Sequence, residues 1–145
     1  MIKKLLLSLA LIISANAWTE VKKLYLDCKF DRGLYVPESL PMPRQDDVSI
    51  VINEWEDNES LLIEIGASKQ AVPKNNPLLF WTQEEDRVKG EWRFFLDRVS
   101  GNFRTSFYAE ISDEADDSIK ILKEADGLVN LRNIYYNCTK VTPLF

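Results

Sequence analysis

Gly90-Glu91-Trp92-Arg93-Phe94-Phe95-Leu96-Asp97-Arg98-Val99-Ser100-Gly101-Asn102-Phe103-Arg104-Thr105-Ser106-Phe107-Tyr108-Ala109-Glu110-Ile111 decides the fold class. Trp92, Phe94 and Leu96 fall on one side of an alternating pattern, and Glu91, Arg93, Phe95 and Asp97 on the other. Ser100-Gly101 is turn chemistry. After it Phe103, Thr105, Phe107, Ala109 and Ile111 oppose Arg104, Ser106, Tyr108 and Glu110. A period of two belongs to a half-buried strand, and two such runs around a tight turn predict a β-hairpin.

The same period extends in both directions. Upstream, Leu24, Leu26, Cys28 and Phe30 share a face in Lys23 to Phe30, followed by a Pro-rich loop over residues 31–46. Val48 to Trp55 and Leu61 to Ile65 predict a second hairpin around Asp57-Asn58. Residues 66–77, with Gly66, Pro73 and Pro77, predict another loop, and Leu78 to Gln83 a short strand. Downstream, Ser118 to Glu124 is placed as a strand in preference to a capped helical turn. Ala125-Asp126-Gly127 then turns the chain into a last strand, Leu128 to Val141. The pattern predicts an all-β domain of about eight antiparallel strands, as a barrel or barrel-like sandwich. No long helical stretch is available for parallel crossovers.

The N-terminus has a different character. Lys3 and Lys4 precede an apolar run from Leu5 to Ile13, and Ala15-Asn16-Ala17 supplies small residues for cleavage. This matches a secretory signal peptide over residues 1–17, with a mature domain of residues 18–145 beginning near Trp18. The apolar run is about half the ~20 residues a membrane-spanning helix requires. The expected location is therefore the periplasm or the exterior, with no stable membrane anchor after cleavage.

Full-length net charge is -5. The signal carries two of the 18 basic residues and none of the 23 acidic ones, so the mature domain has 16 basic and 23 acidic, or -7. That balance disfavours nucleic acid and anionic membrane surfaces and favours a self-repelling monomer or a partner with a basic face. Histidine is absent. Ser-His-Asp and Cys-His nucleophilic catalysis are excluded with it, as is the commonest ligand for zinc and copper. No motif marks a carboxylate pair for glycoside hydrolysis. The expectation is a non-enzymatic protein without cofactor or metal, whose partner is a protein or a small molecule.

Cys28 and Cys138 both survive cleavage. In an oxidising compartment, two lone thiols far apart in sequence predict one structural disulfide joining the first strand to the last. Asp113-Glu114-Ala115-Asp116-Asp117 gathers four carboxylates but lacks the ligand spacing and Gly of an EF-hand, and is expected to be a solvated acidic loop.

One set of residues suggests a ligand site. Trp92, Phe94 and Phe103 share the inward face of the central hairpin and would line an apolar cavity. Arg98 is the arginine placed beside them to hold an anionic group, with Arg93 and Arg104 as neighbours of the same type. The plainer reading makes the aromatics core and pairs the arginines with Asp97, Glu91 and Glu110 across strands. Gly90-x-Trp92 is similar to a lipocalin element but lies mid-chain, whereas lipocalins carry it on the first strand.

Leu24-Tyr25-Leu26-Asp27-Cys28, Leu96-Asp97-Arg98-Val99-Ser100-Gly101 and Tyr135-Tyr136-Asn137-Cys138 resemble a layout found in small exported bacterial β-proteins of uncharacterised function. That layout has an early aromatic-x-Leu-x-Cys strand, an Asp-Arg-x-Thr-Gly turn and a late Tyr-x-Gly-x-Cys strand. Here Ser100 stands at the Thr and Tyr136 at the Gly. The resemblance implies a fold and a compartment, and no activity. A looser likeness is to periplasmic lysozyme inhibitors, eight-stranded barrels with a cysteine bridge, whose Ser-Gly-x-x-Tyr loop has no counterpart here.

Overall fold

The computed structural model describes residues 21–36, 39–85, 87, 89–111, 120, 123–124 and 127–142. Among these, nine strands form one antiparallel sheet: β1 (Val21–Tyr35), β2 (Leu40–Pro41), β3 (Val48–Trp55), β4 (Ser60–Ile65), β5 (Ser68–Pro73), β6 (Leu78–Glu85), β7 (Gly90–Asp97), β8 (Asn102–Ala109) and β9 (Val129–Val141). Eight follow the order β5-β4-β3-β1-β9-β8-β7-β6, while β2 pairs only with the end of β1. β5 and β6 terminate that order yet are consecutive in the chain and lie against each other. The sheet is thus a nearly closed barrel with one seam. Across the seam, Ser68 Oγ donates to Gln83 Oε1 at 3.4 Å.

Alternation fills the barrel. Leu26, Ile50 and Ile65 stand in one cross-strand row, and Leu24, Ile52 and Ile63 in the next. On the other half, Leu79, Leu96, Phe103 and Tyr136 are directly opposite one another on β6, β7, β8 and β9. Ile50, Leu61, Ile63, Leu79, Leu96 and Phe103 are fully buried within a single hydrophobic cluster. Each such side chain removed from water is worth roughly 1.5–3 kcal/mol before the entropy of ordering it.

The disulfide joins the first and last long strands. Cys28 faces Cys138 directly on β1 and β9, with Cα atoms 3.9 Å apart. Two bulges adjust the sheet. Asp31 is the extra residue on β1, so Phe30 opposes Tyr136 and Arg32 opposes Tyr135. Leu131 is the extra residue on β9, where the register steps between Phe107 and Tyr108. Bulges of this kind kink a strand and increase its twist, which helps a sheet to close.

Three expectations from the sequence need correction. β1 does not stop at Phe30; it runs past its bulge to Tyr35, and the loop behind it folds back. Met42 N–H donates to Gly33 O at 2.8 Å, and the missing Gly33 side chain leaves room for Met42. Residues 66–77 are not a loop throughout, because β5 occupies Ser68–Pro73 and pairs with β4 along its length. Its predecessor turn needs Gly66 at φ 58°, a left-handed position that glycine adopts without strain. Finally, the described residues of Ser118 to Glu124 are not strand. Lys120 is helical, and Lys123 N–H donates to the Lys120 carbonyl at 3.2 Å, a local bond that competes with ladder pairing. Eight long strands remain, with β5 in place of that segment. Residues 1–17 and Asp113 to Asp117 lie outside the described residues.

Candidate functional site

The inward aromatics form a stack across four neighbouring strands. Trp81 and Phe94 lie parallel within 6°, with centroids 5.3 Å apart. Phe103 stands 6.4 Å from Phe94 and 5.5 Å from Tyr136. Trp92 sits farther along β7, against Phe107 at 5.0 Å, and its Nε1–H donates to Glu85 at 3.3 Å. Trp92, partly buried like Phe94, therefore packs on Phe107, while Phe94 and Phe103 pack on one another. Trp81 completes their stack, and its signal in the sequence is the alternation Leu79, Trp81, Gln83.

Arg98 is not brought to these rings. It lies in the turn between β7 and β8, exposed, with Nη1 donating to the Lys74 carbonyl at 3.0 Å. The turn is built tightly. Asp97 Oδ1 accepts from Val99 N–H at 2.9 Å and Ser100 N–H at 3.3 Å. These backbone donors, Val99 before Ser100, hold the Asp97 carboxyl below its ordinary pKa. Cys138 N–H then donates to Gly101 O at 2.8 Å, so the turn docks on β9 at the disulfide. A cleft of about 240 Å³ beside it is lined by Leu24, Ile52, Leu96, Arg98 and Lys140. A second, of about 300 Å³, opens at the seam between Ser68, Gln70 and Gln83 and reaches Trp81 and Phe94.

The outer face carries a second constellation. Phe80, Phe95, Arg104, Tyr135 and Arg32 are successive cross-strand partners on β6, β7, β8, β9 and β1. They form one ladder over five strands. Phe80 and Phe95 have centroids 5.0 Å apart. The Arg104 guanidinium lies over Phe95 at 4.2 Å, and that of Arg32 over Tyr135 at 4.7 Å. Such contacts are worth about 0.5–1 kcal/mol each at exposed sites. Beside the ladder is a row of shorter side chains: Asp97, Asn102 and Asn137. Between the two rows lies a trough of about 440 Å³, with Asp31 and Leu78 at its ends.

The two ladder arginines differ in their partners from the ion-paired cations of the sheet. Lys29, Arg44, Lys69, Lys89 and Arg93 all have carboxylate partners within 4 Å. Arg104 and Arg32 have none among the described residues; their contacts are with rings, and Arg104 Nε is buried without a hydrogen-bond acceptor. A buried unsatisfied donor costs about 1–3 kcal/mol, more when charged. Arg93, by contrast, serves structure. It bonds Glu91 at 3.0 Å and Glu124 at 3.0 Å and covers the Tyr108 ring at 3.7 Å, tying the β8–β9 connection to the barrel. Burial pulls its pKa down, and Glu124 and Glu91 more than offset this, leaving it above the ordinary value.

Comparison with protein-family models, curated proteins and solved structures finds no match to this chain.

Proposed function

We propose that this protein is a non-enzymatic binding or interaction module that works outside the cytoplasm and recognises its partner through the outer trough. The carrying observation is the pair of guanidiniums, Arg32 and Arg104, presented on aromatic rings beside a 440 Å³ trough and left without carboxylates. The absence of histidine supports a binding role over a catalytic one. The signal-like residues 1–17 and the disulfide are both compatible with an oxidising compartment.

The test compares immobilised wild type with the double variant R32Q/R104Q, both checked for native far-UV spectra, in a periplasmic extract. The expected result is a component held by wild type and released by the variant. Equal retention by the two proteins, including none by either, contradicts the reading.

A second reading has its own observation. The seam cleft reaches the Trp81 and Phe94 rings, which would suit a small apolar ligand. Saturable quenching of tryptophan fluorescence by such a ligand, abolished in Gln70→Trp, would support it. Unchanged fluorescence across a panel of fatty acids and aromatic amines would remove it.

A further inference from the structure

The trough's chemistry narrows the class of ligand, an inference that rests on the binding reading above. Its tall wall offers two guanidiniums lying over rings, on Arg104 and Arg32. Its low side offers the side-chain amides of Asn102 and Asn137, which accept and donate, and near one end the Asp31 carboxylate, which only accepts. Neither asparagine side chain has a hydrogen-bond partner among the described residues. The other end is apolar, with Leu78 45% and Phe80 46% exposed on β6. A ligand matching this needs acidic groups for the arginines and hydroxyls, both donating and accepting, for the amides and Asp31.

Spacing discriminates further. Arg104 and Arg32 lie on β8 and β1, with β9 between them. Two inter-strand steps place their backbones roughly 10 Å apart. An extended peptide repeats its same-side carboxylates every ~7 Å, shorter than that backbone spacing. A saccharide with carboxylates on alternate sugars has the longer repeat. A polyanion lacking hydroxyls would also meet Asp31 and Asp97 without compensation. We infer that the trough binds an acidic saccharide chain, with carboxylates on Arg104 and Arg32 and hydroxyls on Asp31, Asn102 and Asn137.

The experiment titrates isotope-labelled mature protein with three probes: a hyaluronan octasaccharide, a neutral dextran oligosaccharide and hexaglutamate. The expected result is saturable shifts at the Asn102 and Asn137 side-chain amides with hyaluronan alone. Affinity should fall at least tenfold in R104Q and weaken with added salt, since an exposed charge pair is screened. Lys69→Gln, on β5 and paired with Glu64, should leave it unchanged. Stronger shifts from hexaglutamate overturn the saccharide assignment while leaving the binding reading intact. Equal shifts from dextran overturn the acidic requirement. No shift from any probe overturns the inference, and the retention experiment then decides the broader reading.

Discussion

At Gly101 the backbone takes φ 77°, and a Cβ there would lie 2.6 Å from the Cys138 carbonyl oxygen. No real side chain tolerates that contact, and the left-handed φ adds its own strain. Gly101→Ala is expected to cost about 1–3 kcal/mol, seen as a lower midpoint in urea with an unchanged slope. An unchanged midpoint would mean the turn is not docked on β9. The Asp-Arg-x-Ser-Gly stretch was legible in the sequence as a turn, but the job of its ends was not. Asp97 caps the turn locally, whereas Gly101 admits β9 and so depends on a strand 37 residues farther on, at Cys138. Arg98 stood out as the binding arginine because it follows the aromatic run. Arg104 and Arg32 instead border the outer trough, and their pairing with Phe95 and Tyr135 follows from a strand register that single-residue patterns do not contain.

Among the elements, three carboxylates tie loops and edges to the sheet. Asp47 accepts from Phe30 N–H at 2.9 Å, Glu64 from Asn53 Nδ2 at 3.1 Å, and Asp97 from the turn it caps. Each has its pKa lowered, chiefly by those hydrogen bonds. A carboxyl whose folded pKa lies below its unfolded value contributes stability above the unfolded value, near pH 4. That contribution is lost as pH falls through the folded pKa. The thermal midpoint should therefore be insensitive to these groups near pH 6 and drop below about pH 4. In Asp97→Ala the midpoint should start lower and drop less, and an identical pH profile would contradict this assignment. Alternation gave the positions of β3, β4, β6, β7, β8 and β9. It missed β5 because Ser68–Pro73 offers one large buried apolar residue, Val72, between a turn glycine and a proline. It overextended into Ser118 to Glu124 because Ala125-Asp126-Gly127 reads as a turn between two strands, whereas the Lys123–Lys120 bond is local rather than a ladder bond.

The whole molecule is a curled sheet whose ends meet at β5 and β6 and whose first and last long strands are bonded covalently. The loop closed by Cys28 and Cys138 spans 110 residues. In the chain-entropy account such a crosslink is worth roughly 5 kcal/mol, comparable with the net stability of a domain this size. C28S/C138S should unfold at much lower urea concentration than the oxidised protein, whereas reductant should leave the double variant unaffected. Equal stability of the two would show that barrel pairing alone holds β1 to β9. The antiparallel sheet, its disulfide and the inward aromatics were readable from period and cysteine count, while closure into a barrel rather than a sandwich came from the pairing of the strands. The outer trough was not, because it exists only once five strands are in register. Recognition on that outer face, around a core filled with stacked rings, is best tested by mapping ligand-induced shifts on the assigned amide spectrum of the oxidised protein. Shifts confined to Arg32, Asn102, Arg104, Tyr135 and Asn137 are predicted; shifts centred on Trp81, Trp92 and Phe94 would contradict the account.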